Sequence, residues 1–246
     1  MSTSFNTPPA LGREPWSVFF WTLCAPFLFP VLVMTLAGAF VSFEGVMSQD
    51  NPSREQLGAV WLVVCIGSTL QFAALSIWSN HIGAGPFAGS MTATFNWITA
   101  ALVLGPLLLI VPSVIVSAIM AGQEDWQFSG EVNRAVFQME NWTLAYIVYG
   151  VLIAPVLEEV TFRGVALGAL ISRGISPYAA AVLSSAAFAF IHLQYSPAAM
   201  AVVFVTGLGF AALRLLSGSI LVPILAHMAA NGNMFLLQTL APSAGG

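Results

Sequence analysis

An all-α polytopic bundle of about seven membrane-spanning helices, within bounds of six to eight, is the fold class this sequence predicts. Three observations predict it. Of 246 residues, 58% are hydrophobic and 7% are charged, against about 25% charged in an ordinary soluble domain. The apolar residues fall into runs, most of them near the roughly 20 residues that a spanning helix requires. Lysine is absent, and most of the six arginines and ten acids stand between those runs.

The first run, 16 to 43, follows Arg13 and contains Leu36-Ala37-Gly38-Ala39, which has the look of a signal-peptidase site. Its length exceeds the roughly 7 to 15 apolar residues of a secretory core region, so it reads as an uncleaved first helix. Runs at 57 to 78 and 93 to 119 supply the second and third helices. Pro106 and Pro112 in the third, and Pro155 in the fourth at 142 to 170, are expected to kink them. Both of these runs are long enough to tilt strongly or to extend beyond the bilayer. A short run at 177 to 195, opened by Pro177, is followed by runs at 198 to 216 and 219 to 240, the last containing Pro223. The longest connection, 120 to 141, is either a solvated connector or holds a short interfacial helix at 131 to 138. Residues 1 to 15 and 242 to 246 read as flexible tails. With no repeat and no long linker, 1 to 246 is expected to form a single membrane domain.

The sparse charges carry topology. With a cytoplasmic amino terminus, Arg13, Arg163, Arg173 and Arg214 fall at or near inner helix ends, and only Arg54 and Arg134 fall outside. The acidic segments 44 to 56 and 120 to 141 then lie outside as well, which predicts a multi-pass protein of the cell membrane in this orientation. Cys24 and Cys65 lie in apolar runs as small hydrophobes and suggest neither a disulfide framework nor a metal site. Without a basic patch, nucleic acid is not an expected partner. Asn141-Trp142-Thr143 matches a glycosylation sequon, which carries little weight alone.

Against this background Glu158, Glu159 and Arg163 stand out, because they lie inside the fourth run. A carboxylate near a bilayer centre costs roughly 2.5 to 3.5 kcal/mol on insertion scales, so an adjacent pair calls for partners or for chemistry. Two of the three histidines, His192 and His227, also lie in later runs, four residues after Phe188 and four before Asn231. On a helix each such pair shares a face, as do Glu159 and Arg163. Singly, each has a plain explanation: an intramembrane histidine or asparagine is commonly an interhelical hydrogen bond, a Glu–Arg pair is more often structural, and Phe188 is core. Together they are most of the strongly polar side chains of the last four helices. His81, among Gly83, Gly85 and Gly89, has no comparable partners.

Glu-Glu-x-x-x-Arg, Phe-x-x-x-His and His-x-x-x-Asn, in that order, resemble the CAAX protease and bacteriocin-processing family of intramembrane endopeptidases. The likeness covers about 142 to 240 and is strongest from Ala154 to Gly164. It implies a peptidase acting on a membrane-associated peptide or protein within the lipid bilayer. By that similarity Glu158 would activate water together with His192, and His227 and Asn231 would donate to the oxyanion. Glu159 and Arg163 would form an ion pair that orients their helix. Two glutamates and two histidines are also plausible zinc ligands, and the family has been treated as metallopeptidases on that ground. The compact His-Glu-x-x-His arrangement is missing, however, and the metal-free scheme uses every residue, so no cofactor is expected and zinc is the alternative. Substrates implied by the resemblance are prenylated CAAX carboxyl termini and signal-like or bacteriocin leader peptides.

A different class of reading is a non-catalytic protein, either a proton-coupled transporter or an immunity scaffold, since intramembrane Glu and His chains relay protons. The absence of an inverted repeat and the crowding of polar groups into one half speak against it. One tension remains in the peptidase reading. At about 1.5 Å per residue, His192 lies about 22 Å from Pro177 but His227 only about 12 Å from Ser219, so straight helices of equal tilt would not bring the two level.

Overall fold

The computed structural model describes residues 90–120, 147–192 and 195–240, with scattered positions between 66 and 77. Helix α1 (Phe95–Ile119) opens the described bundle. An unbroken helical stretch from 147 to 172 follows, in four pieces: a wide π segment (Ile147–Ile153), α2 (Ala154–Glu159), a second π segment (Val160–Ala166) and α3 (Leu167–Ser172). Then come α4 (Pro177–Phe190), α5 (Pro197–Ser217) and α6 (Leu221–Leu240). Among the described residues there is no strand, only an isolated parallel bridge between Ser90 and Ser219.

Local chemistry explains where α4 and α5 begin. Both open on Ser-Pro, with the serine as cap and the proline at the first helical position, where its missing N–H costs nothing. Ser176 Oγ accepts from the Ala179 N–H at 3.3 Å, and Ser196 Oγ accepts from the Ala199 N–H at 3.4 Å. At the other end of α5, Gly218 adopts φ of 71° and its N–H returns to the Arg214 carbonyl, the left-handed stop that glycine permits without strain.

Helices α1 and α5 are long and apolar enough to cross a bilayer, at 25 and 21 residues with mean hydropathy of 2.5 and 2.0. Only 17% of the apolar window of α1 is buried. A helix so apolar and so uncovered is suited to lipid rather than to water. The runs at 16 to 43 and 57 to 78, the 120 to 141 connection, both tails, Cys24, Cys65, His81 and the sequon lie wholly or mostly outside the described residues, so the expected count of seven spans does too.

Prolines lie inside continuous helical stretches, and one helix ends earlier than its apolar run. Pro106 and Pro112 lie within the continuous α1. Pro155 stands in the first turn of α2, directly after a π segment, so the fourth run continues past it through a widened turn. Such turns relieve a local conflict within a helix and recur at functional sites. In addition, α4 ends at Phe190, which leaves His192 in the turn beyond it rather than on the helix face.

Helix α1 packs mainly against α6 and α5, and α5 against α4. The α1–α6 approach is backbone to backbone. A Cβ placed on Gly105 would collide with the Ala226 carbonyl, so only glycine allows this spacing. One turn along, Thr206 Oγ1 of α5 donates to the Leu108 carbonyl of α1 at 3.0 Å. The start of α6 is tied to the residues before α1, because the Ile220 N–H and Ser219 Oγ both donate to the Ser90 carbonyl, at 2.8 and 3.1 Å. Ser184 Oγ of α4 donates to the Phe162 carbonyl at 2.7 Å and so anchors the second π segment. These ties hold five helical segments around one polar interior. Replacing Gly105 by valine is expected to destabilise the bundle by about 1–3 kcal/mol through overpacking. Unfolding in detergent should show this loss, whereas alanine at the exposed Leu102 should shift stability by no more than about 0.5 kcal/mol.

Candidate active site

Polar side chains from three helical segments meet between the wide stretch 147–172, α4 and α6. Glu158 and Glu159 end α2, and Arg163 lies in the π segment that follows. Glu159 and Arg163 are completely buried, at 0% side-chain exposure, whereas Glu158 retains 24%. Adjacent carboxylates thus meet opposite surroundings, one enclosed and one open to the interior space.

Glu159 Oε1 is the meeting point. It accepts from Arg163 Nη1 at 3.0 Å and from His227 Nδ1 at 2.9 Å. Arg163 reaches further, with Nη2 donating to the Gly207 carbonyl of α5 at 3.0 Å. Its guanidinium carbon lies 4.3 Å from the Phe188 ring centroid and 5.6 Å from that of Phe210, a cation held between two aromatic faces. The ion pair expected from the i,i+4 spacing is present, and Glu159 has His227 as a second partner.

Both imidazoles are oriented through Nδ1. His227 gives its Nδ1 hydrogen to Glu159, and His192 gives its own to the Phe188 carbonyl at 2.9 Å, since a carbonyl only accepts. In each neutral ring Nε2 is therefore the acceptor, a tautomer assigned from these partners. His227 Nε2 stands 3.7 Å from Glu158 Oε2, too far for a direct hydrogen bond and close enough for an ion pair or a bridging water. His192 is within Coulombic range of Glu158, His227 and Arg163, but its direct contacts are with Phe188 and with the Tyr195 ring stacked at 5.7 Å. Among the described residues, His227 is the imidazole that stands within 4 Å of Glu158.

The mismatch in helical rise does not keep the two histidines apart, because Phe188 connects them. Its ring lies 4.9 Å from His192 and 5.8 Å from His227, edge-on to both. Far from being passive core, Phe188 touches three of the polar side chains. Asn231 is fixed separately: its Nδ2 donates to the Gly150 carbonyl in the first π segment at 2.8 Å. An amide nitrogen carries two hydrogens, so this bond orients the group and leaves one donor for a ligand.

Sequence reasoning overlooked Gly150, Gly207, Tyr195 and Phe210. The first two act through backbone carbonyls, which no side-chain pattern reveals, and Phe210 stacks on His227 at 4.8 Å from a helix that bears none of the motifs. As to metal, no three His, Cys, Asp or Glu side chains among the described residues gather in a set able to hold an ion. Glu159 Oε1 is committed to Arg163 and His227, while its Oε2 is buried with no hydrogen-bond partner among the described residues. Replacing Arg163 by methionine strands Glu159 in a buried site and should cost about 3–5 kcal/mol. Chemical unfolding should show Arg163→Met to be more damaging than the Arg163→Met/Glu159→Gln pair, in which the uncompensated charge is gone.

Comparison with known proteins agrees with this arrangement of motifs. The family model for type II CAAX prenyl endopeptidase Rce1-like proteins matches residues 140–232, which include all six of the polar site residues. No curated protein and no solved structure matches the chain. Residues 140–232 thus resemble the Rce1-like type II CAAX prenyl endopeptidases, and two helices of the chain are long and apolar enough to cross a membrane.

Proposed function

We propose that this protein is a glutamic intramembrane endopeptidase in which Glu158 and His192 activate a water and His227 and Asn231 stabilise the oxyanion. The observation that carries the reading is the contrast between two neighbouring carboxylates, Glu159 fully buried and doubly bonded, Glu158 partly open beside the His227 imidazole. Hydrolysis of an amide needs a base for water, donors for the developing oxyanion and an acid for the leaving amine. Glu158 and the Nε2 lone pair of His192 are both acceptors, so together they take the two hydrogens of one water and leave its oxygen lone pair for the substrate carbonyl carbon.

Attack forms the C–O bond while Glu158 takes a water proton. The oxyanion then receives hydrogen bonds from the second Asn231 N–H and from Nε2–H of His227. That role requires His227 to be protonated on both nitrogens, because Nδ1–H already serves Glu159. Charge balance supports it: two carboxylates, one guanidinium and one imidazolium sum to zero in a site where an uncompensated charge is costly. Glu159 is then the group that keeps the His227 ring oriented. Collapse breaks the C–N bond, and Glu158 returns its proton to the amine nitrogen. No step calls for a metal.

The substrate in this reading is a membrane-associated protein or peptide, cleaved near a prenylated CAAX carboxyl terminus or at a leader segment. The transporter alternative gains no observation of its own. Glu158→Gln and His192→Ala are each expected to abolish cleavage of a co-expressed CAAX or leader substrate while the protein still extracts and unfolds like the parent. Retained cleavage in either variant sinks the scheme. Treating purified, active enzyme with a zinc chelator should leave the rate unchanged; stoichiometric zinc lost in parallel with activity would overturn the metal-free mechanism.

A further inference from the structure

Helix α5 contributes none of the three sequence motifs, yet it passes directly behind Arg163. Gly207 lies midway along it, and its carbonyl oxygen accepts from Arg163 Nη2 at 3.0 Å. A backbone carbonyl has two lone pairs, so a helical residue can hold its own turn and still accept from a side chain. What such an anchor demands of the sequence is room rather than polarity. A Cβ built on Gly207 would lie 2.8 Å from Arg163 Nη2, 3.2 Å from Phe188 Cδ1 and 3.3 Å from Ser185 Cβ. The guanidinium has little freedom to step aside, since it is bonded to Glu159 on one end and packed against the rings of Phe188 and Phe210.

We infer that Gly207 is a positioning residue for the peptidase centre, holding Arg163 so that Glu159 in turn fixes the direction of the His227 ring. The chain of contacts is continuous: Gly207 O to Arg163 Nη2, Arg163 Nη1 to Glu159 Oε1, and Glu159 Oε1 to His227 Nδ1. A methyl group at Gly207 displaces the guanidinium, and the displacement is passed through Glu159 to a ring that must place Nε2 on a developing oxyanion. Gly207 meets neither water nor substrate in this arrangement. Its effect falls on the chemical step rather than on substrate binding. This inference rests on the peptidase reading of Glu158, His192, His227 and Asn231, though the contacts it invokes exist whatever the reaction.

Two readouts on the full-length protein in detergent test it, peptide hydrolysis and the 15N signals of the His227 ring. Gly207→Ala should lower kcat by about 10²-fold, the scale of loss that an ångström of misplacement produces, with KM little changed. The His227 Nδ1 resonance should move at the same time. Arg163→Lys added to Gly207→Ala removes the crowded nitrogen and should recover part of both kcat and the resonance, and it serves as the second variant should Gly207→Ala fail to fold. Val205→Ala, on the exposed side of α5, should match the parent in both readouts. A parental kcat in Gly207→Ala, a kcat loss with an unmoved His227 signal, or no recovery in the double variant would overturn the inference. Absence of hydrolysis in the parent, with the His227 signal still shifting in Gly207→Ala, would remove the peptidase reading and keep the anchor.

Discussion

One carboxylate oxygen organises this site. Glu159 Oε1 receives a guanidinium hydrogen from one side and an imidazole hydrogen from another, with its side chain wholly removed from solvent. A buried ion pair is weak evidence for stability, because desolvating both charges offsets most of their attraction. What such a pair supplies well is direction. Glu159 has little choice of rotamer while Arg163 is pinned between Phe188, Phe210 and the Gly207 carbonyl, and His227 has little choice of tautomer while Glu159 stays in place. The rigid inner layer leaves Glu158, its neighbour in sequence, as the open one.

That division of labour depends on helix geometry that simple periodicity does not describe. The stretch 147–172 alternates wide and regular turns, and the regular piece α2 contains both glutamates. Adjacent residues on a regular helix point about 100° apart, so Glu158 and Glu159 diverge towards different surroundings. The π turn after α2 contains Arg163, and the π turn before it offers the Gly150 carbonyl to Asn231. Proline at 155 is compatible with this arrangement because the widened turn before it loosens the regular hydrogen-bond ladder.

Much of this was legible in the residues, and the limits of legibility are physical. Motif spacing pointed to Glu159 with Arg163, and Ser-Pro pairs at 176 and 196 fit helix starts that capping chemistry explains. The end of α4 was misjudged because an apolar run does not announce where backbone hydrogen bonding stops. His192 belongs to the following turn, where its ring turns back on the Phe188 carbonyl. Gly105 and Gly207 were invisible for a related reason, since their contribution is the lack of a side chain at a close contact, and a composition rich in glycine gives no hint which ones are crowded. The partner of His227 was equally hidden, because sequence order says nothing about which of two adjacent acids a distant ring will meet.

The shortness of α4 reaches beyond the site itself. Fourteen residues make a helix about 21 Å long, well under the roughly 30 Å of hydrocarbon in an ordinary bilayer. A helix of that length starting at one leaflet would end part-way through the hydrocarbon, and the backbone groups of the turn that holds His192 would then require either protein cover or a wet recess reaching down from the other leaflet. In the proposed peptidase such a recess would make access one-sided, with water and peptide approaching from the face on which α4 stops short. It also makes lipid chain length a variable, since a thicker bilayer deepens the recess and a thinner one brings the imidazole nearer to bulk water.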